Sequence, residues 1–342
     1  MRLPFITFLF FICTYSSEAN NLRFLTSNIS RARSLAMGSA YHSLIDDFSG
    51  GLYNPGAFRL NNSRGERKFR FFFNPAGMSV AFYDYSKYDI DFVEDNKLTA
   101  SEGLLSASMI LKGVVFTTQL LDCGINLGEE IIEAGDKPLK FGERFYSIER
   151  HTHGSYNSAF VNFKIATTVS LGMTGTLYKS RTEGKTSYKG GYTLGVLLNP
   201  NPKLNVGIAS NDTPDEFSMA RFVLESIEGE TVTGGISYYP DEKTVVSIDL
   251  RNLNKEDKHA SREIHTGLER LFWRRIALRA GYYRKKLTDN DVYSFGIGIL
   301  PTWEKISKFA NSTRSDILSY TIITEENGFK YRWHVFSLLL RY

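Results

Sequence analysis

Apolar residues recur at every second position along most of the chain. In the stretch TVVSIDLRN, Val246, Ile248 and Leu250 fall on one face of an extended chain, and the residues between them are polar or charged. The same alternation runs through residues 158–165 and 276–283. A period of two is typical of β-strands that bury one face. The pattern therefore predicts an all-β protein whose strands separate an apolar face from a polar one.

Two kinds of connection separate the predicted strands. Short turns fall at residues 199–203, 240–243 and 273–275, and turns of this length join antiparallel neighbours as hairpins. Longer polar stretches fall at residues 125–143, 210–220, 253–261 and 301–315. Short turns at one end and long loops at the other are typical of an outer-membrane barrel. We therefore expect all four long stretches on the side opposite the short turns.

A secreted β-sandwich would also alternate, so strand length and the chemistry of the polar face matter. Several runs reach about ten residues, the length that crosses a bilayer at a tilt, whereas sandwich strands are nearer five or six. Charged or titratable residues recur on the polar faces of three successive strands: Asp249, Arg251, His265, Glu269 and Arg279. Facing inward they would form a hydrated ladder across a lumen, and on a sandwich they would be ordinary solvated positions. Together with the strand length, they favour the barrel.

The first residues predict export. Residues 1–19 combine a positive start at Arg2, an apolar run too short to span a bilayer and a small residue at Ala19, as in a secretory signal peptide. A lipid anchor at Cys13 is the alternative. Removal of the signal would leave Cys123 without a partner for an intramolecular disulfide.

Charge and composition narrow the function classes. The 41 basic residues are interspersed with 37 acidic ones, which argues against a nucleic-acid partner. About 280 residues remain after residue 63, and at roughly 20 residues per strand and connection they predict about fourteen strands.

A resemblance to a known family enters at residues 32–58, ARSLAMGSAYHSLIDDFSGGLYNPGAF, which follow neither the strand nor the helix period. This stretch resembles the N-terminal region of PorV/PorQ-like and FadL-like outer-membrane barrels. The matching positions are Arg33, Met37, Gly38, Ala40, Tyr41, Asp46, Asp47, Tyr53, Asn54 and Pro55. Residues 245–299 and the closing HVFSLLLRY also resemble strands of that family.

The resemblance implies a transmembrane antiparallel barrel formed by residues 64–342, with residues 20–63 folded inside as a plug. In FadL-like proteins the Asn-Pro-Ala turn of the plug lies near the path of hydrophobic ligands, and here Gly56 and Ala57 replace Ala-Gly. The implied candidates for the plug and ligand path are Arg33, Met37, Gly38, Asp46, Asp47, Asn54, Pro55 and Gly56. We expect Asp46 and Asp47 to pair with inward-facing bases, with Arg251 and Arg279 as candidates.

Two functions follow from the resemblance. FadL-like members imply an outer-membrane channel for small hydrophobic molecules, in contact with outer-membrane lipid. PorV-like members imply a binding partner of secretion-system proteins, which would use the long loops. The shared sequence leaves both open.

An enzymatic function is a third hypothesis. Ser247, Asp249 and His265 share the polar face of adjacent predicted strands, but no GxSxG nucleophile motif occurs, so we expect no enzyme activity. GKT at 184–186 lacks the first glycine of a phosphate loop, and HTH at 151–153 lacks further ligands nearby. We therefore expect neither a metal nor another cofactor.

Overall fold

The computed structural model describes thirteen ranges of the chain: residues 32–45, 48–58, 69–84, 102–118, 120–135, 152–182, 185–212, 230–253, 262–273, 275–285, 290–300, 316–326 and 331–341. The predicted signal peptide, Asp46 and Asp47 lie outside these ranges. So do His151, Gly184 and residues 301–315.

The described residues form fourteen antiparallel strands, each paired with its neighbour in sequence. Their bounds are Phe69–Asp84 (β1), Glu102–Thr117 (β2), Leu121–Gly135 (β3), Thr152–Ala166 (β4), Val169–Thr182 (β5), Lys185–Asn201 (β6), Leu204–Asp212 (β7), Glu230–Tyr238 (β8), Thr244–Arg251 (β9), Glu263–Phe272 (β10), Ile276–Lys285 (β11), Asn290–Ile299 (β12), Leu318–Glu326 (β13) and Tyr331–Arg341 (β14). The prediction of an all-β antiparallel sheet is confirmed.

The first strand pairs with the last as well as with the second. The register between β1 and β14 runs from Phe72 opposite Arg341 to Tyr83 opposite Tyr331, with an irregularity between Phe73 and Ala76. The strand order thereby closes on itself as a barrel. Closure satisfies the backbone donors and acceptors that a free sheet edge would expose.

The two faces of the sheet have the polarity predicted from the alternation. Along β9, Ile248 is 50% exposed on the outer face, whereas Asp249 is fully buried on the inner face. β10 repeats the pattern, with exposed Ile264 and Leu268 on either side of buried positions. Apolar side chains outside and polar side chains inside are the arrangement of a membrane barrel.

One connection lies at the end opposite to the one predicted. The connection from β12 to β13 leaves from Leu300 and returns at Asp316. Because successive strands alternate in direction, both residues lie at the same end of the barrel as the short turn at 273–275. The backbone amide of Leu300 donates to the carbonyl oxygen of Arg275 there (2.8 Å). The prediction that this connection starts at the end opposite the short turns was therefore wrong. Residues 125–135 were also assigned to a loop, but they belong to β3.

Residues 32–45 and 48–58 lie inside the ring of strands, and we call them the internal segment. They form two short helices, α1 (Ala32–Ala36) and α2 (Phe48–Tyr53), and a 3-10 turn at Pro55–Ala57. None of the described helices is both long and apolar enough to cross a membrane.

Glycines in the wall let the internal segment approach the strand backbone. A β-carbon added at Gly281 of β11 would overlap the backbone nitrogen of Gly38, and one at Gly207 of β7 would overlap the carbonyl oxygen of His42. The segment therefore packs directly against the main chain of the barrel, which any larger residue at these positions would prevent.

Replacement of Gly281 by valine is expected to displace the internal segment, because the added side chain collides with the backbone at Gly38. We expect heat-dependent gel mobility to show loss of the folded form at a lower temperature than in the parent protein. Gly175→Val is the matched control, since a β-carbon at this glycine meets no atom within 4 Å. Equal effects of the two substitutions would contradict the close packing at Gly281.

Candidate functional site

The internal segment is hydrogen-bonded to strands on opposite sides of the barrel. Side chains of the wall donate to its carbonyl oxygens as follows: Thr321 of β13 to Ala32 (2.6 Å), Ser294 of β12 to Ala36 (3.2 Å), Ser237 of β8 to Ser43 (3.0 Å) and Ser170 of β5 to Gly56 (2.6 Å). Because the donors come from strands far apart in the sheet order, the segment lies across the inside of the barrel. The polar inner faces thus find partners in its backbone.

A carboxylate in the wall holds the turn at residues 38–42. Asp249 of β9 accepts hydrogen bonds at Oδ2 from the backbone amides of Tyr41 (2.7 Å) and His42 (3.0 Å). The same oxygen lies 2.8 Å from Nδ1 of His42, and both side chains are buried. Hydrogen bonds to an ionised acceptor are stronger than neutral ones, more so where water is excluded.

Two neighbouring side chains bind the carbonyl oxygens of the same turn. A terminal nitrogen of Arg251 donates to the carbonyl oxygen of Ser39 (2.6 Å), and Nδ1 of His265 lies 2.7 Å from that of Gly38. Gly38 and Ser39 have positive φ angles of 59° and 58°, which turns the chain sharply here. We call Asp249, Arg251 and His265 the β9–β10 clamp, because the carboxylate takes the amides of the turn while the two bases take its carbonyls.

A second group of charges joins the internal segment to the short-turn end. Glu269 of β10 accepts from Nε of Arg33 (2.8 Å) and from Nε of Arg279 (2.7 Å). Arg279 also makes two hydrogen bonds to Asp316, of 2.6 and 2.9 Å. All four side chains are at least nine-tenths buried, and the two positive charges match the two negative ones. Such a network is costly to break, because removing one member leaves an uncompensated buried charge.

The Asn-Pro-Gly turn is fixed at the other side of the barrel. Oδ1 of Asn54 accepts from the amide of Gly56 (2.9 Å), and its Nδ2 donates to the carbonyls of His42 (2.7 Å) and Val196 (3.1 Å). Nδ2 of Asn162 in β4 donates to the carbonyl oxygens of Gly56 and Phe58. Pro55 begins the 3-10 turn, and Asn54 caps it.

Between the clamp and the Asn-Pro-Gly turn lies an apolar cluster. It consists of Met37, Tyr41, Leu44, Tyr53, Tyr239 and Val245, all buried. The Tyr41 and Tyr53 rings are 5.4 Å apart, and the guanidinium of Arg251 lies 5.9 Å from the centre of the Tyr53 ring. The internal segment therefore shares a small apolar core with Tyr239 and Val245 of the barrel.

The five residues of the predicted charge ladder are buried against other parts of the protein. Asp249, His265 and Glu269 are 0% exposed, and Arg251 and Arg279 are each 4% exposed. They contact the internal segment and one another, and two of them also meet a further acid: His265 meets Glu263 and Arg279 meets Asp316. Asp46 and Asp47, whose pairing with Arg251 or Arg279 is a prediction, lie outside the described residues.

Several residues of the site carried no signal in the sequence. His42 falls between positions that match the family pattern, Asn162 lies in an ordinary alternating strand, and Asp316 precedes β13 at the end of a long connection. None of these positions has a spacing that predicts its partner. Their contacts arise only where strands distant in sequence converge on the internal segment.

The serine, histidine and acid on β9 and β10 are not arranged as a catalytic set within the described residues. His265 stands opposite Asp249, and Ser247 stands opposite Gly267. Asp249 binds His42, whereas His265 contacts Gly38 and lies 3.4 Å from Glu263. No hydrogen bond joins Ser247 to His265 there. The described residues also contain no group of three or more histidine, cysteine and acidic side chains that could hold a metal ion.

Replacement of Asp249 by asparagine is expected to loosen the turn at residues 38–42. The asparagine side chain lacks the negative charge with which Asp249 binds two backbone amides and His42. Hydrogen bonds to charged groups contribute about 1.5–3 kcal/mol each to stability. Hydrogen exchange measured by mass spectrometry should become roughly tenfold faster or more in a peptide that covers these residues. Asp291→Asn is the control, since that carboxylate accepts from Tyr282 on the outer face. Unchanged exchange in Asp249→Asn would contradict the clamp.

Comparison with known proteins gives similarity in structure alone. No protein-family model matches the chain, and no curated protein sequence matches it. Among solved structures, one described as the TodX monoaromatic hydrocarbon channel, a deltaS2 mutant, has a TM-score of 0.53 at 11% sequence identity, over 91% of this chain and 97% of that one.

A FadL homologue from Pseudomonas aeruginosa also has a TM-score of 0.53, at 12% identity, over 92% of this chain and 98% of its own. Both matches extend over nearly the whole of each chain. At these identities the comparison concerns the fold and not the chemistry of a site. The chain therefore has the β-barrel fold of the TodX channel and of this FadL homologue.

Proposed function

We propose that the protein is an outer-membrane channel for small hydrophobic molecules, with the internal segment as its plug. The observation that carries the proposal is that this segment is hydrogen-bonded to strands on opposite sides of the barrel, from β4 to β13. A lumen crossed in this way does not allow free flow of water. The TodX structure is described as a monoaromatic hydrocarbon channel, which supports the same class of substrate here.

The outer surface supports a membrane location. Side chains such as Ile208, Ile236, Ile264 and Phe295 are 50–59% exposed on strands whose inner faces are polar. Exposed apolar side chains around the barrel favour lipid as the surrounding solvent. With the predicted signal peptide, this favours an outer membrane and outer-membrane lipid as the first partner.

Passage through the barrel requires either movement of the plug or a gap in the wall. The β9–β10 clamp and the network around Glu269 hold the segment by charged, buried hydrogen bonds, so opening must exchange these contacts for others or leave them intact and part the wall. We propose passive transport that needs neither a cofactor nor a catalytic step. The secretion-partner hypothesis stays a prediction, since it depends on the long loops, most of which lie outside the described residues.

Purified protein reconstituted in liposomes is expected to accelerate uptake of a labelled fatty acid or monoaromatic compound relative to empty liposomes. Release of a small hydrophilic dye from the same liposomes should stay near the empty-liposome rate, because the plug crosses the lumen. Uptake of neither hydrophobic class above the empty control would contradict the channel. Rapid release of the dye would contradict the plug.

A disulfide between the plug and the wall should separate two routes of opening. A β-carbon at Gly296 of β12 would meet that of Ala36, so Ala36→Cys with Gly296→Cys can form a disulfide after a small shift, in a background of Cys123→Ala. We expect oxidation to slow uptake and a reducing agent to restore it. The single-cysteine variants are the controls. Full uptake in the oxidised double variant would contradict movement of α1 in transport.

A further inference from the structure

A cluster of basic and aromatic side chains occupies the short-turn end of the barrel, outside the lumen. It lies between the turn that joins β8 to β9 and the turn that joins β10 to β11. We call it the basic rim patch, and its members are Lys243, Arg270, Phe272, Trp273 and Arg275. The backbone places them together, because the amide of Leu271 donates to the carbonyl oxygen of Lys243 (2.8 Å) and the amide of Arg275 to that of Phe272 (3.0 Å).

The side chain of Trp273 projects away from the barrel. Its side chain is 83% exposed, and its φ angle is +47°, a region that bulky residues rarely adopt. The Phe272 ring is 6.5 Å from the indole and is itself 38% exposed. Exposed indole and phenyl rings at the end of a barrel strand fit the boundary between hydrocarbon and headgroups.

Arg270 points outward into the same boundary. It alternates with buried Glu269 and Leu271, and it stands on the outer face between exposed Leu268 and Phe272. Its guanidinium lies 6.0 Å from the centre of the Phe272 ring and donates to the Thr244 hydroxyl (3.3 Å). A guanidinium on the lipid-facing side is costly unless its charge reaches the interface and meets an anion.

Within the described residues, the protein offers few acidic partners to the cations of the patch. In the part of the chain that the structure describes, no carboxylate forms a salt bridge with Lys243, Arg270 or Arg275. Asp241 of the β8–β9 turn attracts Arg270, but its oxygens accept within their own turn, from the amides of Lys243 (2.7 Å) and Thr244 (2.8 Å) and from the Thr244 hydroxyl. Glu242 of the same turn is also engaged. Three cations and two exposed aromatic rings, with two acidic side chains in the adjoining turn, therefore lie together at this end of the barrel.

We propose that the basic rim patch binds the phosphate group of an anionic phospholipid in the leaflet at the short-turn end. Arg270 contacts the phosphate from the barrel wall, Lys243 and Arg275 contact it from the two adjoining turns, and Phe272 and Trp273 flank the glycerol and upper acyl chain. Arginine suits this partner because its planar fork of donors matches phosphate oxygens. The inference rests on the membrane location in the proposed function, but it needs neither transport nor movement of the plug.

Quenching of Trp273 fluorescence by brominated lipid tests the site. The full chain carrying Trp303→Phe and Trp333→Phe keeps Trp273 as its one tryptophan. It is reconstituted in bilayers of phosphatidylcholine that contain increasing fractions of brominated phosphatidylglycerol or, separately, of brominated phosphatidylcholine. We expect the anionic lipid to reach half-maximal quenching at a several-fold lower mole fraction.

Charge variants show whether the patch causes the preference. Lys243→Gln, Arg270→Gln and Arg275→Gln combined should remove the difference between the two lipids while leaving quenching by phosphatidylcholine in place. Lys179→Gln, on an exposed lysine that pairs with the Tyr188 ring near the opposite end of the barrel, should leave the preference intact. Heat-dependent gel mobility checks that each variant is folded.

The possible outcomes separate this inference from the proposed function. Equal quenching by the two lipids, or a preference that survives the triple substitution, would overturn the phospholipid site and leave the channel untouched. Absence of quenching by either lipid would overturn the site and the membrane location together. A preference that depends on the patch would support the site even if the uptake experiment failed.

Discussion

The rest of this structure depends on one constraint, which is that the polar inner face of the barrel must find partners away from bulk water. Asp249, His265 and Glu269 are fully buried, and the internal segment covers them with backbone amides, carbonyls and Arg33. An unpaired buried charge would destabilise the barrel strongly. The wall and the internal segment therefore stabilise each other: the wall orders a chain that has no sheet or long helix of its own, and that chain satisfies the wall.

The two ends of the internal segment are held in different ways. At the N-terminal end, ionic contacts through Arg33, Glu269 and Arg279 lead to Asp316, at the short-turn end of the barrel. At the C-terminal end, neutral side chains such as Asn54 and Asn162 bind backbone groups around Pro55–Ala57. Hydrogen bonds between buried charged groups are stronger than those between neutral groups. The N-terminal end of the internal segment therefore has the stronger contacts with the wall.

The exposed side chains of the outer surface change in character from the middle of the barrel to the short-turn end, where the basic rim patch lies. Around the middle of the barrel, exposed leucine, isoleucine and phenylalanine side chains suit hydrocarbon. Toward the short-turn end, Arg270 and Trp273 replace them, which agrees with the proposed membrane location because charged and amphipathic side chains at that level would reach the headgroups. Adjacent residues of β10 therefore have opposite surroundings: Glu269 meets the internal segment, and Arg270 is exposed on the outer face.

The sequence by itself determined the strands, their two faces and the polar character of the inner one, because a period of two depends only on local geometry. It also singled out residues 32–58 as a separate segment. The end of the barrel at which the β12–β13 connection starts was predicted wrongly, since it depends on the direction of every preceding strand. Only the tertiary structure decided that Asp249 meets His42, 207 positions away, and that Arg279 meets Asp316, 37 positions away. Contacts between residues so far apart in the chain produce no periodic pattern in the sequence.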